Sequence, residues 1–238
     1  MNKTQIIIEV GMNHMGNIHK AKKYFNFFLK SEYKKITFQI NTPQYYKKKP
    51  FTLKRSFYEN ILKLAKKNNK QVGLAVCDTN TFKPLSNLKF DFYKLLSIGI
   101  NNKKLIDLLK KTRKEVYISL GIADNYKIKK CLKQFGKKNR LRLVYTNFSY
   151  DAKDLNLKTI INLKRLYNLK VGYGHHYNNL IPIILSKALN YDFIFLYIKS
   201  KKINRSDKNL PDDLHAVDIN DLNKINLKLE EVSKMLKN

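Results

Sequence analysis

Short apolar runs alternate with amphipathic stretches along the whole chain. Residues Ile6 to Val10, Lys35 to Ile40, Gln71 to Val76, Phe90 to Leu96, Glu115 to Leu120, Leu141 to Thr146, Leu169 to Gly172 and Phe193 to Ile198 are brief and mostly apolar. That is the pattern of parallel strands covered on both faces. Between them, apolar residues recur with helical spacing over Lys20 to Lys30, Phe57 to Asn68, Phe82 to Leu88, Lys103 to Thr112, Lys127 to Phe135, Leu157 to Tyr167 and Leu180 to Leu189. A final helix over Ile219 to Leu236 carries Leu222, Ile225, Leu229, Val232 and Leu236 on one side. Eight strands, each followed by a helix, predict an α/β fold, a single-domain (β/α)8 TIM barrel over residues 1–238. A doubly wound open sheet is the alternative, but no G-x-G-x-x-G follows the first strand.

Composition narrows the function more than the fold. The formal net charge is +30, from 48 Lys plus Arg against 18 Asp plus Glu. The arginines are only Arg55, Arg113, Arg140, Arg142, Arg165 and Arg205, so the excess is lysine spread over solvent-facing helix positions. A nucleic-acid groove would concentrate arginine and aromatics in one region, and the nearest approach to that is Tyr45 to Arg55. Weak, salt-sensitive association with polyanions is expected from charge alone. Two distant cysteines, Cys77 and Cys131, match no metal-ligand spacing and read as small buried thiols of a cytoplasmic protein. No run is long enough to cross a membrane, and Glu9 interrupts the opening apolar run before it reaches signal-peptide length.

In a TIM barrel the site forms at the C-terminal ends of the strands. Glu9, Gln39, Lys94 with Ser97, Ser119, Tyr150, and His175 with His176 would then face one mouth. Glu9 is the most informative of these. A carboxylate ending an apolar strand is costly to bury unless it is paired, and it would serve either to tie down nearby backbone, Asn13 or His14, or to do chemistry. Lys94, enclosed between Tyr93 and Leu95, is unusual as a solvated surface charge. Ser97 and Ser119 read equally as turn-satisfying hydroxyls.

The segments that place these residues also resemble a known family. IIIEVGMNHMGNIHKAK at Ile6 to Lys22 is similar to the I-x-E-x-G-x-N-H-x-G-x-x-x-x-A-K of the N-acetylneuraminate (sialic acid) synthase family, in its N-terminal catalytic barrel. TFQ at Thr37 to Gln39 resembles K-F-Q, YKLLS at Tyr93 to Ser97 resembles Y-K-I-x-S, and SLG at Ser119 to Gly121 resembles S-T-G. FSY at Phe148 to Tyr150 and VGYGHH at Val171 to His176 follow in register, the second resembling V-G-Y-S-D-H.

The resemblance implies condensation of phosphoenolpyruvate with an N-acyl amino sugar, in surface carbohydrate biosynthesis, with a divalent metal, Mn or Mg. It implies Glu9 and His176 as catalytic residues, His176 also as metal ligand, and Asn13, Gln39, Lys94, Ser97, Ser119, Tyr150 and Asp213 as substrate-binding residues. It further implies a homodimer.

The chain departs from the family pattern where the chemistry lies. A phosphate-binding lysine is replaced by Thr37, a frequent asparagine by Phe148, and a phosphate-touching serine by Gly174. On the eighth strand the family reads I-E-K-H-F, its histidine being the second metal ligand, whereas this chain reads IFLYI with Phe195 and Tyr197 at the acid and histidine positions. LPDDLHA resembles L-P-G-P-D-H-A, but without a gap it sets Leu214 at the aspartate, so Asp213, one place early, or Asp212 would substitute. The family's C-terminal antifreeze-like domain is expected to be missing. A catalytically reduced barrel that binds a sugar or phosphorylated ligand, or that partners an active synthase, is the competing expectation.

Overall fold

A computed structural model describes residues 4–40, 42, 52–121, 123–205 and 209–236. Eight parallel strands close on themselves: β1 (Gln5–Gly11), β2 (Lys35–Gln39), β3 (Gln71–Val76), β4 (Phe92–Leu95), β5 (Glu115–Ser119), β6 (Leu141–Tyr145), β7 (Lys170–Gly174) and β8 (Phe193–Lys199). The barrel is sealed by β1 against β8, from Gln5 opposite Phe193 to Glu9 opposite Tyr197. The helices are α1 (Ile18–Lys30), α2 (Arg55–Lys67), α3 (Thr79–Phe82), α4 (Lys103–Lys111), α5 (Asn125–Phe135), α6 (Thr159–Tyr167), α7 (Ile181–Ile184) and α8 (Leu222–Met235). The expected single-domain TIM barrel is therefore the observed fold.

Alternation along each strand divides the side chains between two cores. Ile8, Val10, Ile36, Phe38, Tyr93, Leu95, Val116, Ile118, Ile194, Leu196 and Ile198 point outward and pack under the helices. The inward set, Ile7, Phe92, Tyr117, Val144, Phe193 and Phe195, fills the barrel axis. Three of its aromatic pairs meet edge to face, Tyr117 with Phe193 at 4.9 Å, Tyr117 with Phe195 at 5.1 Å and Phe92 with Tyr117 at 5.5 Å. Such pairs contribute about 0.5–1.5 kcal/mol each beyond their buried area. Gly73 and Gly172 make room for them, since a Cβ at either would fall within 2.6 Å of the Phe92 or Phe193 ring. Because the axis is plugged, an inward residue one step further along a strand must lie at the mouth.

The opposite end is closed by charge. Glu115 accepts from Lys35 Nζ at 2.8 Å and from the Tyr117 hydroxyl at 2.7 Å, and pairs with Arg142 at 3.0 Å. Burial raises the Glu115 pKa, but the hydrogen bonds from Lys35 and Tyr117 and the nearby Lys35 and Arg142 charges outweigh it and hold the carboxyl below its ordinary value. A depressed folded value means that the stabilisation is present above the unfolded value and is lost as pH falls through the folded one. Glu115→Gln should therefore lower the urea midpoint at pH 7 and flatten the acid limb of a midpoint-against-pH series; an unchanged limb would remove Glu115 from the seal.

The helical expectations need three adjustments. The segment after Ile184 leaves the helix for tight turns, with Ser186 N on Ile183 O and Lys187 N on Ile184 O, and reaches a left-handed Asn190. The Phe82 to Leu88 helix is α3 followed by a 3-10 turn at Lys83–Leu85. α8 begins at Leu222, after a 3-10 turn at Ile219–Asp221 and a short strand β9 (Val217–Asp218) that pairs with the end of β8. Tyr45 to Phe51, the centre of the basic aromatic stretch, lies outside the described residues. Among the described residues no helix is long and apolar enough to cross a membrane.

Candidate active site

Glu9 is the next inward residue of β1 after Ile7, and Lys94 is the next inward residue of β4 after Phe92, so the plugged axis forces the two together at the mouth. Lys94 Nζ stands 2.5 Å from Glu9 Oε2, with both side chains almost wholly buried. The ammonium also lies 4.6 Å from the centre of the Phe195 ring, 5.1 Å from that of Tyr197, and 3.3 Å from the Tyr197 hydroxyl. Burial raises the Glu9 pKa and the Lys94 charge only partly counters it. Glu9 Oε1 has no hydrogen-bond partner among the described residues. A buried carboxylate with one oxygen on an ammonium and the other unengaged is poised toward a ligand or a proton.

The rest of the opening motif holds a distant loop in place. The Asn13 amide donates to Ile198 O at 2.9 Å and accepts from Asp212 N at 3.2 Å, while its carbonyl accepts from Asn204 Nδ2 at 2.8 Å. Tyr24 Oη in turn hydrogen-bonds Asn204 Oδ1. Met12 N donates to Asp212 Oδ2 at 3.1 Å. Gly11 has φ +54, and a Cβ there would sit 2.3 Å from Asp212 Oδ2, so glycine is required both for the turn and for the approach of the loop. Asn13, expected to contact substrate, is fully buried and reaches the mouth through Asp212. Its neighbour His14 accepts from Gly16 N at 3.0 Å, and burial lowers its pKa to about 4, leaving a neutral ring.

Asp212 is the carboxylate that the loop 209–216 turns inward. Asp213 faces out, half-exposed, and pairs with Lys199 at 2.9 Å. His215 follows on the inner side, its Nε2 3.6 Å from Asp212 Oδ1 and its Nδ1 3.4 Å from the Tyr150 hydroxyl. The His176 ring packs against His215 at 4.2 Å, Tyr197 at 4.9 Å and Phe148 at 5.0 Å. Burial, reinforced by His215 and Lys94, holds the His176 imidazole well below its ordinary pKa. Phe148 and Tyr150 are 50% and 42% exposed, so an aromatic rim remains open to solvent above these buried rings. His175 points away, is buried beside Tyr173, and has a pKa lowered to about 3 by burial.

Ser119 ends β5 at the mouth, and Ser97 opens the 3-10 turn after β4. The Ser97 hydroxyl and the Phe148 ring converge on Gly121, where a Cβ would lie 2.7 and 2.8 Å from them. Gln39 ends β2, half-buried. Thr37 instead donates to Ile8 O at 3.3 Å and is wholly buried. At the end of β6, the buried Thr146 hydroxyl, which has no hydrogen-bond partner among the described residues, lies 2.4 Å from where a Cβ on Gly174 would be. Asp212 and Thr146 thus join the set. Asp212 is the alternative that the LPDDLHA resemblance leaves beside Asp213, while a threonine ending an apolar run is the only sequence signal for Thr146.

The described side chains at the mouth do not suit a divalent cation. Among the described residues no three His, Cys, Asp or Glu converge as a ligand group. The β8 position where the resemblance puts a second imidazole holds Tyr197, whose ring packs on both His176 and His215. A neutral phenol is a poor ligand for Mn or Mg, and the two imidazoles present, His176 and His215, pack ring against ring at 4.2 Å with no third His, Cys, Asp or Glu among the described residues completing a ligand group.

Comparison with known proteins agrees with this fold. The profile of the NeuB family matches residues 19–238. The chain is 25% identical over 269 residues to the N,N'-diacetyllegionaminic acid synthase of Campylobacter jejuni, covering 99% of this chain and 78% of that protein. It is 26% identical over 216 residues to a pseudaminic acid synthase of the same species, covering 79% of this chain and 62% of that one. The crystal structure of the N-acetylneuraminic acid synthetase of Leptospira borgpetersenii, in complex with citrate, shares the fold with a TM-score of 0.86 at 21% identity, over 100% of this chain and 86% of that chain. The barrel, its opening motif and the family match together place the chain in the NeuB family.

Proposed function

We infer that the chain is a nonulosonic-acid-type synthase that joins phosphoenolpyruvate to an open-chain N-acyl amino sugar. The observation that carries this reading is the buried Glu9–Lys94 pair at the mouth, with a carboxylate oxygen unengaged and the Ser97 and Ser119 hydroxyls on the adjoining strand ends. Lys94 supplies positive charge for the carboxylate or phosphate of the donor, and the serines supply hydroxyl donors. In the reaction, C3 of phosphoenolpyruvate bonds to the aldehyde carbon, whose oxygen takes up a proton. Water then adds to the resulting cation at C2, and phosphate leaves with its bridging oxygen. In this reading Glu9 Oε1, which has no hydrogen-bond partner among the described residues, would steady that cation or take the proton of the entering water. Phe148 and Tyr150 would border the approach of the sugar after β6, and Gln39 would face them from the end of β2 across the mouth.

A second reading follows from β8. Phe195 is part of the axial core and Tyr197 meets His176 and His215 edge to face, so two groups that the resemblance assigns to the reaction are absent. A barrel that binds the ligand without turnover would keep the same fold.

Phosphate release separates the two. Incubation with phosphoenolpyruvate and a panel beginning with N-acetylmannosamine, with and without Mn²⁺, should release inorganic phosphate, and Glu9→Gln should reduce the rate by about 10²- to 10⁴-fold. If no sugar elicits phosphate, or Glu9→Gln changes nothing, the synthase reading fails. Calorimetric binding of phosphoenolpyruvate without release would favour the reduced barrel.

A further inference from the structure

We propose that the mouth holds its anionic ligand without a divalent metal, with Lys94 as the cation of the site and Tyr197 closing the place of a second metal-ligating side chain. Four observations carry this. Lys94 is already fixed among a carboxylate, a phenol and two ring faces, at 2.5 Å from Glu9 Oε2 and 3.3 Å from the Tyr197 hydroxyl. A divalent ion seated beside it would face that ammonium across a buried, weakly screened gap.

Each carboxylate near the mouth also has an oxygen already committed. Glu9 Oε2 meets Lys94, while Asp212 Oδ2 accepts from Met12 N at 3.1 Å and its Oδ1 faces the His215 ring. His176 is packed against three rings, Phe148, Tyr197 and His215, at 4.2 to 5.0 Å. Finally, no three His, Cys, Asp or Glu among the described residues form a ligand group. Among the described residues, what the mouth offers besides the Glu9 and Asp212 carboxylates and the packed His176 and His215 rings is one ammonium, hydroxyls at Ser97 and Ser119, and an aromatic rim. That set suits an organic anion such as a carboxylate or phosphate ester, and it lacks the clustered anionic donors that a hard cation requires.

The inference rests on the mouth being the ligand site of the proposed reaction, but its test needs no turnover. MnCl₂ is titrated into the full chain at moderate salt, followed by calorimetry and by the EPR signal of free Mn²⁺. Wild type should show no saturable site, and phosphoenolpyruvate should bind equally with and without EDTA. Tyr197→His should gain a saturable Mn²⁺ site, at least about tenfold tighter than any residual wild-type binding, and adding His176→Ala should remove it.

One-to-one Mn²⁺ binding by wild type that His176→Ala abolishes would overturn the proposal. So would a tenfold or greater loss of phosphoenolpyruvate affinity in EDTA, or a folded Tyr197→His chain that gains no site. Should Tyr197→His not fold, the wild-type titration decides alone. If phosphoenolpyruvate does not bind at all, the proposed reaction fails and the Lys94 part of this inference falls with it, while the Mn²⁺ titration still decides the metal.

Discussion

Lys94→Met should be the most damaging single change in the barrel, lowering stability at pH 7 by about 3–5 kcal/mol, because it leaves the Glu9 carboxylate buried with its main counter-charge removed. The deficit should shrink in acid. Burial already raises the Glu9 pKa against the pull of Lys94, and without Lys94 it climbs further. A raised folded value favours the folded state below the unfolded value, an advantage that is lost as pH rises through the folded one. Urea unfolding of the variant at pH 5 and pH 8 checks the sign: a larger deficit at pH 5 would contradict it.

The double change Glu9→Gln/Lys94→Met removes both charges. It should recover most of the stability, since a buried pair replaced by neutral groups of similar size is often close to neutral. It should recover none of the phosphate release. Recovery of stability without activity would identify the pair as a feature kept for the ligand at the expense of the fold. Recovery of both would make it structural only.

Asn13→Asp is expected to follow closely, with about 2–4 kcal/mol of stability lost from an almost isosteric change. The amide nitrogen that donates to Ile198 O becomes an oxygen facing an oxygen, in a position with no access to water. The acceptor for Asp212 N survives only beside a new charge close to the Asp212 carboxylate. The loop 209–216 should detach, carrying Asp212 and His215 from the mouth, and become sensitive to limited proteolysis while the barrel helices remain protected. A stable, protease-resistant variant with impaired ligand binding would instead mean that Asn13 meets the ligand directly.

The barrel was legible because parallel strands enclosed on both faces leave apolar runs of a length that helices rarely mimic. The β3 limits, Gln71 to Val76, match the sequence reading, and most other strands differ by one or two residues. The pairing of Glu9 with Lys94 was less visible. Each residue could be assigned to a strand end, but which inward positions share a layer depends on register around the whole barrel.

Asp212 and Asp213 show the limit most clearly. They are adjacent and chemically identical, and only the docking of their loop against Gly11, Met12 and Asn13 turns one inward and the other toward Lys199. α7 is shorter than its apolar spacing predicts, for a related reason. Its apolar spacing continues past Ile184, while the backbone turns tightly through Ser186 and Lys187 to reach the left-handed Asn190.

Closure of the barrel between β1 and β8 has a consequence for the order in which the site can come into being. Glu9 faces Tyr197 across that seam, and Met12 holds Asp212 from 200 positions away. An emerging chain can form β1 to β7 and still have neither the aromatic wall nor the inner carboxylate. Contacts of such long range form late and slowly. A ligand that bridges the mouth would therefore bind the sealed ring in preference to any form with an open seam, and its binding would latch the first strand to the last.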